Sequence, residues 1–131
     1  MMNDTVPMLT VDEYQIIVNR LLHGNNYCYL SGGITNVPDF YEKFRKAESE
    51  VIKLGITPLN PSFWGSQLEK YCSVHLPEYT INYSDYMRFC IWLMVTYCNK
   101  IYVLSNWESS PGAILEMDIA KVLRFDPIIY Q

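Results

Sequence analysis

The sequence predicts an α/β fold built on a mainly parallel sheet, and three observations carry that expectation. Short apolar runs rich in β-prone residues alternate with longer segments whose apolar residues recur at helical spacing. The runs stop where the chain must turn, at Ser31-Gly32-Gly33, Asn60-Pro61 and Ser105. Nothing divides the chain: no repeat, no low-complexity tract and no Pro/Gly/Ser linker interrupts its 131 residues. Strands that alternate with helices need a crossover between neighbours, which makes the sheet parallel and covers both its faces.

Taken in order, Thr10-Val11-Asp12-Glu13 has the form of a capping box. Val11, Tyr14, Ile17, Val18, Leu21 and Leu22 follow at helical spacing, and Gly24 is the expected stop. Tyr27-Cys28-Tyr29-Leu30 reads as a strand ending at the glycine pair. Asp39 opens a helix with an apolar stripe of Phe40, Phe44, Ala47, Val51 and Leu54, closed by Gly55. Ile56-Thr57-Pro58-Leu59 reads as a brief second strand. Residues 62–83 have little periodicity and are expected to form a long connection, with a helical turn at Gly65 to Tyr71. Ser84-Asp85 caps a helix running to Tyr97, and Ile101-Tyr102-Val103-Leu104 is the clearest buried strand. A helix from Gly112 to Leu123 and a last strand at 127–130 complete the order. The expected architecture is a flavodoxin-like or Rossmann-like three-layer sandwich with four to five strands, read as one domain over 1–131, with 1–25 as a helical addition to the core at 27–130.

Size and charge narrow the function. Half of the residues are apolar, enough for a core without disulfides or a structural metal. A net charge of −4 and the lack of any Lys/Arg cluster argue against a nucleic-acid partner, whose binders carry a basic face. The start, Met1-Met2-Asn3-Asp4, has no basic and apolar signal pattern, and the apolar stretch from Phe89 to Val95 is too short to cross a bilayer. A cytoplasmic protein with no membrane partner is the expectation. Cys28, Cys72, Cys90 and Cys98 lack CxxC spacing, and His23 and His75 offer no paired ligands, so neither a metal nor a cofactor is expected.

In an open parallel sheet, ligands bind beyond the carboxyl ends of the strands, where the strand order reverses. That brings Ser31-Gly32-Gly33, Asn60-Pro61 and the segment Ser105 to Glu116 around one crevice. The last of these follows a strand and opens a helix, so its first backbone N–H groups face the crevice. Gly112 permits close approach of a ligand, and Ser110 adds a hydroxyl. An anion or a sugar hydroxyl is well served at such a place. Glu116 lies one turn into the helix, on the same side as its start. The same spacing also suits a plain N-cap at Ser110 with a carboxylate near the helix dipole. Asp118 falls on another helix face and reads as solvated. Trp64, Tyr71, Tyr79, Tyr83 and Tyr86 can stack on a ligand, join an interface between copies, or fill the core.

The string Trp107-x-x-Ser110-x-Gly112-Ala113-x-x-Glu116-x-x-x-Ala120 resembles the signature of the nucleoside 2-deoxyribosyltransferase-like family, including its deoxynucleoside 5′-monophosphate N-hydrolases. Tyr29-Leu30-Ser31-Gly32-Gly33-Ile34-Thr35 is similar to that family's first strand and glycine turn. Phe44 to Gly55 with Leu59-Asn60-Pro61 is similar to its next helix and strand. The resemblance implies that Glu116 attacks C1′ of a 2-deoxyribosyl group and forms a glycosyl ester, which water or a second base resolves. It implies that Ser110 and Gly112 hold the 5′-phosphate or 5′-hydroxyl, and that Ser31 and Gly32 border the sugar or base. Gly33, Asn60, Trp107 and Ala113 complete the candidate substrate-binding set. The implied partners are a small nucleoside or nucleotide and further copies of the same chain in a homo-oligomer.

The chain departs from that family where an Asp is usual in a Tyr-Met-x-x-Asp stretch. Here the residues are Tyr86-Met87-Arg88-Phe89-Cys90, and Asn99 replaces a second Asp after Cys98. Asp85 is the candidate replacement acid, although five residues of helix turn it about 140° away from Cys90. Without that acid, a nucleotide-binding or regulatory module lacking turnover is the alternative expectation.

Overall fold

The computed structural model describes residues 9–34 and 37–131. Met1 to Asp4 and Thr35, which entered the readings above, lie outside the described residues. The elements run α1 (Val11–Val18), β1 (Tyr27–Ser31), α2 (Phe40–Lys53), β2 (Thr57–Leu59), α3 (Pro61–His75), α4 (Tyr83–Tyr97), β3 (Cys98–Val103), α5 (Pro111–Val122) and β4 (Ile128–Tyr130), with a 3-10 turn at Trp107–Ser109. All strand pairings are parallel, in the order β2-β1-β3-β4. This is the expected α/β sandwich, with four strands. The order reverses between β1 and β3, since the chain leaves β1 toward one edge and β3 toward the other.

Alternation along β1 divides the core. Cys28 and Leu30 face α2, where Phe44, Ala47, Val51, Tyr102 and Leu104 form one buried cluster. Tyr29 faces the opposite layer, with Leu59, Ile101 and Val103, against the buried sides of α1, α3, α4 and α5. Period-2 geometry therefore puts Tyr29 and Ser31 on the same face of the sheet. Among the described residues α2 covers one face and α3, α4 and α5 cover the other, with α1 packed outside on α3 and α4. All four cysteines are free and buried.

Several local expectations change. The box at Thr10 is present, with Thr10 N–H donating to Glu13 Oε1 at 2.9 Å and Glu13 N–H donating to Thr10 Oγ1 at 3.3 Å. The helix nonetheless stops at Val18 rather than at Gly24. Asn19 takes the left-handed conformation (φ 50°) and donates its N–H to Gln15 O, so a short polar side chain does what glycine was expected to do. Leu54 leaves the α2 stripe, because it is the C-cap of the helix and 57% exposed.

The largest correction is α3. The segment read as a long connection is a 15-residue helix. Pro61 sits at its first position, where the missing N–H costs nothing, and the Asn60 side chain accepts from Ser62 N at 2.9 Å and Ser62 Oγ at 2.7 Å. Its buried stripe is Trp64, Leu68 and Cys72, three residues at a strict spacing of four. Ser62, Gly65 and Ser66 dilute helix propensity around them, and tertiary packing outweighs that deficit. Among the described residues no helix is long and apolar enough to cross a membrane.

Candidate functional site

Glu116 is 6% exposed, and its carboxylate is held from β1. Tyr29 Oη donates to Oε2 at 2.7 Å and Ser31 Oγ donates to Oε1 at 2.7 Å. The two donors project from one face of a strand and the acceptor from the first turns of α5, so the bonds tie the strand to the helix at the point where the sheet order reverses. Burial pushes the Glu116 carboxyl up to about 7, against the pull of the Tyr29 and Ser31 hydrogen bonds toward the ionised form.

A cavity of about 800 Å³ opens over this carboxylate. Its floor includes Tyr29, Gly32, Gly33 and Glu116, and its α5 side includes Ser109, Ser110, Gly112 and Ala113. α3 contributes Ser62, Gly65 and Glu69, and α4 contributes Tyr83, Tyr86, Met87 and Cys90. The loops meet closely. A Cβ on Gly33 would lie 3.5 Å from Ser110 Cβ, and one on Gly112 would lie 2.8 Å from the Tyr83 hydroxyl oxygen. Gly32 is tighter, because its Cβ would fall 2.8 Å from Leu104 Cβ. Glycine at position 32 thus allows β1 and the end of β3 to run together into the site, where Leu104 N–H donates to Ser31 O at 2.8 Å.

Of the residues singled out from the sequence, Ser31, Gly32, Gly33, Ser110, Gly112, Ala113 and Glu116 come together here. Ser110 is also the N-cap of α5, accepting from Ala113 N at 3.2 Å, so the capping reading and the site reading hold at once. Asn60, Trp107 and Asp85 do not line the cavity. The Asn60 amide is spent on the α3 cap, while its neighbours Pro61 and Ser62 reach the wall. Trp107 packs against the core, with its ring 6.5 Å from that of Tyr130. Asp85 is the third residue of a capping box: its carboxylate accepts from Asn82 N at 3.0 Å and from Tyr79 Oη at 2.7 Å, buried away from the site. The structure therefore does not bring its carboxylate to the cavity beside Cys90.

Cys90 itself lines the cavity, and burial, followed by the nearby Glu116 charge, pushes its thiol up to about 12. The aromatic group separates: Trp64 is core, Tyr71 donates to Glu13, Tyr79 serves Asp85, and Tyr83 and Tyr86 face the cavity. Tyr29, Glu69 and Met87 are among the site residues missed in the sequence. Tyr29 was available from its period-2 relation to Ser31, whereas Glu69 and Met87 needed the helices of the α3–α4 wall to be placed. Among the described residues no group of His, Cys, Asp and Glu can hold a metal ion.

A family model described as a domain of unknown function (DUF4406) matches residues 26–130. The chain belongs to the DUF4406 family. The DUF4406 match begins just before β1 and ends in β4, so it contains the sheet, the cavity and Glu116, and it leaves α1 outside. No curated protein and no solved structure matches the chain.

Proposed function

We propose that this DUF4406 protein cleaves or transfers the N-glycosidic bond of a 2-deoxynucleoside or its 5′-monophosphate, with Glu116 as the nucleophile. The observation that carries the reading is the carboxylate of Glu116 at the cavity floor, with an oxygen held by Tyr29 and the other by Ser31. Two hydroxyl donors fix the carboxylate in one orientation, and a lone pair on each oxygen stays available to a carbon above it. A buried carboxylate with few waters is a strong nucleophile once ionised, and a value near 7 keeps it ionised on the alkaline side of neutrality. The resemblance of the Ser110-to-Glu116 string to the nucleoside 2-deoxyribosyltransferase-like family gives the substrate class.

In the first step a Glu116 oxygen bonds to C1′ and the bond from C1′ to the base nitrogen breaks. Its electron pair leaves with the base, which takes up a proton. In the second step water attacks C1′ and gives up a proton, the ester bond breaks with its electron pair returning to the Glu116 carboxylate, and 2-deoxyribose or its 5-phosphate leaves. A second base in place of water gives transfer. Splitting one difficult displacement in two is the gain from the covalent intermediate.

Cys90 favours a second reading, a binding module without turnover, because a thiol pushed up to about 12 is a poor donor for a departing base. Base release by liquid chromatography separates the two. The protein and Glu116→Ala are incubated with the common 2-deoxynucleosides and their 5′-monophosphates, and the wild type is searched by mass spectrometry for a deoxyribosyl adduct on Glu116. Release that disappears in the variant supports the glycosyl-enzyme reading. Ligands that raise the melting temperature with no base released support the binder instead.

A further inference from the structure

We infer that the cavity takes an unphosphorylated 2-deoxynucleoside whose base carries an exocyclic amino group, read by Glu69. This rests on the glycosidic reading and narrows its substrate. The charged side chains that line the cavity are Glu69 and Glu116, and no Lys, Arg or His joins them among the described residues. A phosphate dianion would enter a chamber holding two carboxylates and no cation.

The start of α5 does not make up the difference. Pro111 has no N–H, Ala113 gives its N–H to Ser110 Oγ, and Ile114 gives its N–H to Ser110 O at 2.9 Å. That leaves the Gly112 N–H for a ligand, beneath the Tyr83 hydroxyl that crowds the same glycine. One amide and a serine hydroxyl suit a neutral 5′-hydroxyl, whereas a dianion is normally met by several N–H groups or by a cation.

The far wall has the opposite character. Glu69 on α3 lines the cavity, is solvent-exposed, and accepts a hydrogen bond from Tyr86 Oη on α4. The Tyr86 ring packs beside Gly65, one turn earlier on α3, where a Cβ would lie in ordinary contact with it at 3.6 Å. Tyr86 therefore pins one carboxylate oxygen and keeps the group on the wall, while the remaining lone pairs accept further donors. Adenine, cytosine and guanine each offer an exocyclic amino group to such an acceptor. Thymine offers carbonyl oxygens on both sides of its single ring N–H, and these repel a carboxylate.

Base release from the common deoxynucleosides and their 5′-monophosphates, by wild type and Glu69→Gln, tests this. The expected result is release from the amino-bearing deoxynucleosides faster than from thymidine, and faster than from every monophosphate, by about tenfold to a hundredfold. In Glu69→Gln the side chain both donates and accepts, so the margin over thymidine shrinks by about tenfold. Equal or faster release from monophosphates, or a base ranking that Glu69→Gln leaves unchanged, overturns the inference and leaves the glycosidic reading standing. If no base is released from any compound, the glycosidic reading fails, and melting shifts with the same compounds decide. The same ranking in binding, again flattened by Glu69→Gln, supports the inference, and tighter binding of monophosphates overturns it.

Discussion

Replacing Glu116 by Gln should stabilise the protein in alkaline solution, and by an amount that vanishes in acid. The carboxyl has an ordinary value of 4.5 and rises to about 7 in the folded chain because burial disfavours its charge. Between those values the folded state holds a proton that the unfolded state has released, so stability falls as pH rises through this window. Above about pH 7 the cost is complete, and the difference of about 2.5 units corresponds to roughly 3 kcal/mol. Glutamine has nearly the same shape and no proton to lose. Tyr29 can still donate to the amide oxygen, and the Ser31 hydroxyl can rotate to accept from the amide nitrogen. The assay is urea unfolding of both proteins at intervals between about pH 5 and pH 8. Titration of every other group cancels in the difference between the two proteins. The variant's advantage should grow by roughly 2–3 kcal/mol across that range, on the order of 10 °C in melting temperature. A difference that stays flat, or that falls with pH, would refute the claim that Glu116 is buried at a cost.

Other outcomes follow from the same geometry. Gly32→Ala drives a methyl group into Leu104 Cβ and should cost about 1–3 kcal/mol in denaturant unfolding, with base release impaired because the β1 and β3 ends must separate. Asp85→Asn weakens the α4 cap and the Tyr79 bond, so it should cost about 1 kcal/mol while leaving base release within about threefold; a loss comparable to Glu116→Ala would return Asp85 to the reaction. Cys90→Asp puts a carboxyl beside Glu116 where the thiol cannot protonate a leaving base, and should raise base release by about a hundredfold if proton supply is the limit. No gain in a folded variant would mean that proton transfer is supplied elsewhere.

The fold was legible because its signals are local and redundant. Alternating strand and helix patterns, the capping box at Thr10 and the turns at Gly32-Gly33 and Asn60-Pro61 all point to one parallel sheet. Where several weak signals agree, errors at single residues do not accumulate. α3 was lost because Ser62, Gly65 and Ser66 mask a stripe of three buried residues, and those residues are buried only after α4 and β1 are in place. Asp85 was read as a candidate acid for the same reason. A carboxylate three positions into a helix also suits the cap read at Ser84-Asp85, and only the packed positions of Asn82 and Tyr79 show its oxygen bonded there.

By itself the sequence determined the alternation of elements, the crevice at the strand ends and the approach of Ser31, Gly32, Ser110 and Gly112 to Glu116, since each depends on period, turn chemistry and chain order. Tertiary structure alone decided the state of Glu116: its burial, its two hydroxyl partners and the rise of its carboxyl toward neutrality. It also decided the cavity wall of Glu69, Tyr86 and Cys90, from helices that lie next to each other only when packed on the sheet. Local patterns fix which face a side chain takes, but the charge state of a buried group depends on the solvent and dipoles around it, and those belong to the whole fold.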